Sequence, residues 1–268
     1  MSSTTPNNPP ALWVEKLSWQ MKSKVILDNL CFRIEPGEFV GLIGPNGAGK
    51  SSLLRCLYRK TIPSMGTIQF SGRPIETYSR RALARQIAVV QQESPAQFDL
   101  SVRDVISMGL TPHKSLLAFD TQEDHDQVTK AAHKVDVAQL LDQPFNSLSG
   151  GEKQRAMIAR AIVQQPSVLL MDEPTNHLDV HHQIEVLELA RAMKITVVVS
   201  IHDLNLAAAF CDRLLLIDRG AIVADGSSQD VLTEEILARV FAVNAQVDPH
   251  PFGNGPRITF DFGGHRSR

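Results

Sequence analysis

Hydrophobic positions along the chain follow two different spacings, which separate strands from helices. Short continuous apolar runs such as FVGLI (39–43) are typical of strands buried on both faces of a sheet. In SSLLRCLYRK (51–60) the apolar side chains recur on one stripe at helical spacing. The predicted strands cover residues 12–19, 25–34, 39–43, 67–75, 87–92, 167–172, 195–201 and 213–224. The predicted helices cover residues 51–60, 121–141, 150–165, 181–193 and 233–242.

The order of these elements predicts an α/β fold. Strands that alternate with helices imply βαβ crossovers and a parallel sheet. From about residue 93 to 165 the pattern is helical, and Ser101 and Asp104 have the spacing of a capping box. Ser149 is the predicted N-cap of a helix that Pro166 closes. Because this helical insert interrupts the sheet, we expect two lobes.

Composition and charge narrow the class of protein. The 27 Lys and Arg residues nearly balance 29 Asp and Glu residues, so no basic surface suggests nucleic acid as a partner. Three dispersed cysteines are typical of reduced thiols in a cytosolic protein. No apolar run is long enough to cross a bilayer, so a membrane role would require a partner. We expect a polar, disordered lead over 1–11, one large domain over 12–242, and a small hairpin in the Pro/Gly-rich tail, 243–268.

The stretch GPNGAGKS (44–51) has the spacing of a phosphate-binding loop between a strand and a helix. Glycines leave room for successive backbone N–H groups to wrap a phosphate, and the helix adds its positive N-terminal end. Lys50 is expected to reach the β- and γ-phosphates of a nucleotide, and the Ser51 hydroxyl to bind Mg²⁺. By itself this loop is compatible with a kinase, a GTPase, a helicase or a transport ATPase. The predicted phosphate-binding residues are Gly44, Pro45, Asn46, Gly47, Ala48, Gly49, Lys50, Ser51 and Ser52.

A second acidic element follows in VLLMDE (168–173), an apolar strand that ends in two carboxylates. Asp172, at the end of the strand, is suited to binding Mg²⁺ directly or through water. Glu173, one residue further, points elsewhere and could polarise an attacking water as general base. Together with the phosphate-binding loop, this pair predicts a hydrolase acting on a nucleotide.

Between these elements lies LSGGEKQR (148–155), at which the chain resembles the ATP-binding cassette (ABC) ATPases, with Glu152 where the signature often has Gln. The resemblance covers about residues 12–240. It implies an ABC cassette with a mixed-sheet RecA-like core, an antiparallel β subdomain and a helical signature subdomain. It also implies ATP and Mg²⁺ as ligands, with Gln92 (or Gln91) as the Q-loop residue that senses Mg²⁺ and the membrane partner.

The same resemblance implies further roles. Asp179 corresponds to the D-loop, and His202 to the switch histidine that contacts the γ-phosphate. The adenine would stack on Met21 or on Trp19. The signature residues Ser149, Gly150 and Gly151 would close over ATP held by a second copy of the chain, which implies a head-to-tail homodimer. A metal site is suggested by three nearby histidines, His177, His181 and His182, but no Cys or carboxylate accompanies them at a standard spacing.

Two stretches, 98–113 and 202–226, resemble the ATPases of bacterial importers for iron–siderophores, haem and cobalamin. Within that group, the resemblance of NHLD (176–179) and FDLSVRDV (98–105) favours the siderophore branch over haem. This implies an integral-membrane permease as partner, a periplasmic binding protein indirectly, and a peripheral location at the cytoplasmic face of the inner membrane. The alternatives are a soluble ABC ATPase of translation or DNA repair, a non-hydrolytic nucleotide-binding scaffold, and an exporter. The repair ATPases have a long coiled coil before the signature, whereas only 55 residues separate Gln92 from Leu148 here.

Overall fold

The computed structural model describes residues 9–91, 100–115, 119–253 and 255–261, and this part of the chain contains twelve strands and nine α-helices, with short 3₁₀ and π-helical turns between them. The strands are β1 (Leu12–Met21), β2 (Lys24–Ile34), β3 (Phe39–Ile43), β4 (Met65–Phe70), β5 (Arg73–Pro74), β6 (Ile87–Val90), β7 (Val168–Asp172), β8 (Thr196–Ser200), β9 (Arg213–Asp218), β10 (Ala221–Gly226), β11 (Ala245–Pro249) and β12 (Pro256–Phe260). The helices are α1 (Lys50–Leu57), α2 (Arg80–Gln86), α3 (Val102–Ser107), α4 (Gln122–Lys134), α5 (Gly150–Gln164), α6 (Val180–Ala192), α7 (Leu204–Phe210), α8 (Ser228–Val231) and α9 (Glu234–Ile236).

The chain forms two compact units, and each is described by itself. The first combines residues 1–77 with residues 200–268, and the second spans residues 78–199. The alternation of strands and helices confirms the predicted α/β class. No helix within the described ranges is both long and apolar enough to cross a membrane.

The first unit contains a four-stranded antiparallel sheet with the strand order β2-β1-β4-β5. Its central strand β1 places Val14 opposite Phe32 of β2 on one side and Ile68 of β4 on the other. All three side chains are buried, and their burial follows the alternation expected of a sheet with one apolar face. This sheet is the antiparallel β subdomain that the family resemblance implies.

The first unit also contains β3, which is buried at all five positions and pairs in parallel with β9. The register places Leu42 opposite Leu215. The prediction of a single strand over 213–224 is wrong, because β9 and β10 are two antiparallel strands. The chain reverses at Arg219 and Gly220, whose φ angles of 47° and 84° have the handedness of a tight hairpin turn.

The C-terminal part of the first unit ends in an antiparallel hairpin of β11 and β12. The helix predicted over 233–242 is present, since α9 continues without a break into a π-helical turn, Leu237–Phe241. Asn205 of α7 holds the hairpin: its Oδ1 accepts from the Ile258 N–H at 2.8 Å, and its Nδ2 donates to the Ile258 carbonyl at 3.2 Å. A side-chain amide thereby pairs with β12 as a neighbouring strand would.

In the second unit, polar side chains of α5 hold the parallel strand β6. Arg160 donates through Nη2 to the Val89 carbonyl at 2.9 Å, and burial lowers the pKa of its guanidinium. Gln164 donates through Nε2 to the carbonyls of Ala84 and Ile87. These bonds fix the strand that leads towards Gln91.

Capping boxes begin three helices of the second unit. Their N-cap and N3 residues are Ser101 with Asp104 in α3, Thr121 with Asp124 in α4, and Ser149 with Glu152 in α5. The predicted capping box at Ser101 and the predicted N-cap at Ser149 are confirmed. The helix predicted over 121–141 ends earlier, at Lys134, because Asp136 adopts a left-handed φ of 54°.

Candidate active site

The phosphate-binding loop joins β3 to α1 in the first unit. Gly44 and Gly47 have φ angles of 143° and 78°, where side-chain-bearing residues are strained. A Cβ atom at Gly44 would lie 2.0 Å from the Ile217 carbonyl oxygen, so only glycine fits there. Lys50, the first residue of α1, is buried, and its Nζ donates to the carbonyls of Gly44 at 2.6 Å and Pro45 at 3.1 Å. The ammonium group therefore lies within the curve of the loop.

The remaining loop residues surround this lysine. Asn46 is exposed, and Ala48 is buried. Ser51 and Ser52 are half-buried in the first turn of α1, so their hydroxyls stand beside the positive end of the helix. A serine hydroxyl in this place is an oxygen donor of the kind that Mg²⁺ binds.

His202 follows β8 and precedes α7 in the first unit. The N–H of its neighbour Ile201 donates to the Leu42 carbonyl at 3.1 Å, which places this segment beside the strand that leads into the phosphate-binding loop. His202 itself is exposed. Asp203 caps α7 by accepting from the N–H groups of Asn205 and Leu206, so the backbone after His202 is held in one conformation.

The carboxylate pair lies at the end of β7 in the second unit. Asp172 is its last residue and is half-buried, and a carboxylate is an oxygen donor of the kind that Mg²⁺ binds. Glu173 adopts a left-handed φ of 52°, which costs about 1–3 kcal/mol. Asn176 donates through Nδ2 to Glu173 Oε2 at 2.6 Å and orients this carboxylate. The role of Asn176 had no signal in the sequence, because it depends on the turn after β7.

The signature residues begin α5. The Glu152 carboxylate accepts from the Ser149 hydroxyl at 2.7 Å and from the Ser149 N–H at 2.8 Å, and these bonds hold the pKa of Glu152 below its ordinary value. Gly150 and Gly151 form the first turn, where the N–H groups of a helix have no partner within the helix. The turn can bind an anion through its backbone without a lysine.

Asp179 is the N-cap of α6, in the same unit. Its side chain accepts from the His182 N–H at 3.0 Å, and this bond is the main reason why the pKa of its carboxyl is lowered. Gln183, in the first turn of α6, donates to the carbonyls of Thr175 and Leu178 and so holds the D-loop. Sequence reasoning missed Gln183, because glutamine in a helix is ordinarily a solvated side chain.

The structure describes some of the other predicted site residues but not all of them. Gln92 lies outside the described residues. Met21 ends β1 and is 56% exposed, whereas Trp19 is half-buried. The β1–β2 register shifts between Trp19 and Gln20, so spacing alone does not choose the adenine-stacking residue.

The histidines near the D-loop are arranged differently from their sequence spacing. His181, His182 and Glu185 bring potential metal-ligand atoms within 4.8 Å of one another, and His177 does not belong to this group. Glu185 is already paired with Arg155, whose Nη1 lies 2.9 Å from its Oε2. A positive guanidinium beside the carboxylate opposes a metal cation there.

The predicted residues therefore fall into two sets. The first unit holds the phosphate-binding loop and His202, and the second holds Asp172, Glu173, the signature and Asp179. The family model of the ABC transporter matches residues 27–176, more than half of the chain.

The chain belongs to the ABC transporter family. It is 41% identical over 251 residues to the hemin import ATP-binding protein HmuV of Bordetella avium, covering 90% of this chain and 95% of that protein. It is 34% identical over 248 residues to the ferric enterobactin transport ATP-binding protein FepC of Escherichia coli K12, covering 91% and 92%.

Among solved structures, a metal-chelate type ABC transporter in an inward-facing conformation matches with a TM-score of 0.83 and 28% identity. The match covers 95% of this chain and 99% of that chain. The predicted P-loop fold of the ABC type is thereby confirmed, and this ABC family member is an ATPase.

Proposed function

We propose that this chain is the ATP-hydrolysing subunit of a bacterial ABC importer that takes up an iron chelate. The observation that carries the proposal is the match to import ATP-binding proteins over at least nine-tenths of both chains. A ferric siderophore is the proposed cargo, in line with the stretches NHLD (176–179) and FDLSVRDV (98–105). Haem is the second candidate, because the HmuV relative is the more similar of the two, at 41% against 34% identity.

The proposed site binds ATP through the first unit. The loop from Gly44 to Ser52 wraps the phosphates with its N–H groups, and Lys50 contacts the β- and γ-phosphates. Ser51 and Asp172, with Gln92, would hold Mg²⁺, which supplies positive charge to the phosphate oxygens when bound. His202 contacts the γ-phosphate, and Met21 or Trp19 packs on the adenine.

The chemical step is proposed to depend on Glu173. Its carboxylate accepts a proton from the attacking water, while the N–H groups of the loop and Lys50 stabilise charge on the phosphoryl group. Asn176 keeps the carboxylate in place through the 2.6 Å bond to its Oε2. Loss of His202 should lower turnover more than nucleotide affinity, because its contact matters most in the transition state.

The proposed assembly is a head-to-tail homodimer bound to an integral-membrane permease at the cytoplasmic face of the inner membrane. Each chain carries one phosphate-binding loop and one signature, so two complete sites need two chains. Ser149, Gly150, Gly151 and Asp179 would then face the partner's nucleotide. A periplasmic binding protein would deliver the chelate to the permease.

The variant Glu173→Gln tests the mechanism. It keeps the size of the side chain and an oxygen that can accept from Asn176, but removes the base. We expect turnover to fall about 10²- to 10⁴-fold while ATP still binds. Light scattering should show ATP-dependent dimers of Glu173→Gln that disappear when Ser149→Arg is added. Near-wild-type hydrolysis by Glu173→Gln would exclude Glu173 as the base.

The cargo requires a separate experiment. The chain is reconstituted with its permease and binding protein in proteoliposomes, and ATP turnover is measured with a ferric siderophore, haem or cobalamin. Stimulation by the siderophore supports the proposed cargo, and stimulation by haem alone selects the second candidate. Stimulation by cobalamin alone contradicts both.

A further inference from the structure

The first turn of α6 holds the D-loop through Gln183. Its Nε2 donates to two carbonyl oxygens, those of Thr175 and Leu178, each at 3.2 Å. Both acceptors belong to the segment between β7 and α6, and the bonds are partly buried. Because a single amide group bridges two points of this segment, it fixes the path of the D-loop backbone.

The same turn of α6 packs on the start of the signature helix. A Cβ atom at Gly151 would lie 2.4 Å from Cδ2 and 2.8 Å from Cγ of the His182 ring. One residue earlier, a Cβ atom at Gly150 would lie 3.2 Å from Cδ2 of Leu178. The imidazole and the leucine therefore occupy the space that side chains would need at these glycines, and they hold the first turn of α5.

An ionic contact joins the two helices one turn further along. The Arg155 Nη1 lies 2.9 Å from Glu185 Oε2, and Arg155 is only 9% exposed. The same carboxylate oxygen lies 3.3 Å from Nδ1 of His182. The imidazole therefore lies between the Glu185 carboxylate and the Gly151 backbone.

We propose that His182 and Gln183 are positioning residues that hold the signature helix and the D-loop as one rigid piece. The proposal rests on the proposed function, in which both motifs face nucleotide across a dimer. In this role, neither side chain needs to contact ATP. Their loss would let the first turn of α5 and the D-loop shift separately, so the signature would no longer meet the partner's ATP in the reactive geometry. Misplacement by about 1 Å can reduce a reaction about 100-fold.

The neighbouring His181 provides a matched control, since it is the same residue type in the same turn but is exposed. We compare His182→Ala with His181→Ala in the full chain assembled with its permease, and measure the kcat and KM of ATP hydrolysis. We expect kcat to fall about 10- to 100-fold for His182→Ala and to change less than about twofold for His181→Ala. The affinity of the isolated chain for Mg-ADP, which reports on its own phosphate-binding loop, should stay within about twofold for both.

A second variant, Gln183→Glu, distinguishes a positioning role from general misfolding. Gln183→Glu is nearly isosteric but turns an N–H donor into an oxygen facing two carbonyl oxygens. It should lower kcat with Mg-ADP affinity unchanged, as His182→Ala does. If Mg-ADP affinity falls as much as kcat in both variants, the residues only support the general fold and the proposal is wrong.

Two further outcomes overturn the proposal in different ways. Equal losses in His181→Ala and His182→Ala, reproduced by a chelator selective for transition metals over Mg²⁺, would instead indicate a metal site formed with Glu185. Wild-type kcat in both His182→Ala and Gln183→Glu would show that the two motifs need no such support. The proposed mechanism fails separately if Glu173→Gln hydrolyses ATP at a near-wild-type rate, or if Ser149→Arg leaves the ATP-dependent dimers of Glu173→Gln intact.

Discussion

The substitution Gly44→Ala tests whether the phosphate-binding loop is constrained by its own fold as well as by a nucleotide. The new Cβ atom would lie 2.0 Å from the Ile217 carbonyl oxygen, about 1.4 Å short of an ordinary 3.4 Å contact. Both groups belong to the backbone, so no side chain can rotate away. The loop or β9 must move, and the bond from Lys50 to the Gly44 carbonyl moves with it.

The cost can be separated into a backbone part and a steric part. Gly37 and Gly47 have φ angles of 81° and 78°, and no described atom lies within 4 Å of a Cβ built on either. Alanine there costs only the left-handed backbone, about 1–2 kcal/mol. For Gly44→Ala the backbone cost is about 1–3 kcal/mol, because a φ of 143° lies beyond the left-handed region that other residues adopt, and overpacking adds about 1–3 kcal/mol, for a total of about 2–6 kcal/mol. At about 3 °C per kcal/mol, the unfolding midpoint should fall about 3–6 °C for the two controls and about 6–18 °C for Gly44→Ala.

Thermal unfolding without nucleotide measures this difference, because phosphate contacts then contribute nothing. Gly37→Ala lies outside the loop and Gly47→Ala inside it, so together they control for position. If Gly44→Ala unfolds at the same temperature as Gly47→Ala, the contact with Ile217 does not constrain the loop and the reasoning fails. If Gly37→Ala loses as much as Gly44→Ala, the backbone cost has been misjudged.

Two smaller predictions concern ionisable groups. Hydrogen bonds, first from Thr121 and then from Lys114, lower the pKa of Asp124 from 3.8 to about 2. The Asp124 carboxylate therefore stabilises the folded state above about pH 4, and this contribution is lost as the pH falls towards 2. The stability difference between wild type and Asp124→Asn in denaturant titrations should therefore shrink over that range; a constant difference would contradict it. Burial raises the pKa of Cys56 to about 11, whereas Cys31 is exposed. At pH 8 iodoacetamide should modify Cys31 in the native protein and spare Cys56 until unfolding, as mass spectrometry can show; equal rates would contradict the burial of Cys56.

Local chemistry explains why much of the site could be predicted from the sequence. The phosphate-binding loop needs glycines at fixed offsets and a lysine at the first turn of a helix, and all of these lie within eight residues. The capping serines Ser101 and Ser149 are also local, because the residue that completes each box lies three positions away. The run FVGLI predicted β3 without error in its bounds, since a strand buried on both faces has no polar positions to blur its ends.

The unpredicted features depend on contacts between distant residues or on single backbone angles. Glu173 was assigned as a base, but its left-handed φ and its bond from Asn176 follow from the turn after β7. The packing of His182 on Gly151 joins residues 31 positions apart, and no spacing rule reports it. Arg219 looked like one more strand residue because arginine rarely adopts a positive φ, and the hairpin between β9 and β10 was missed for that reason.

The choice of the adenine-stacking residue depends on both the sequence pattern and the geometry at the end of β1. The family resemblance places Met21 at the adenine position, and Trp19 is the alternative because residues two apart share a face of a regular strand. The β1–β2 pairing runs from Trp19 opposite Leu27 to Gln20 opposite Val25, which skips one residue of β2. A shift of this kind increases the local twist and re-aims the side chains beyond it. Because the irregularity falls between the two candidates, alternation cannot rank them, and the choice depends on the geometry of the strand end.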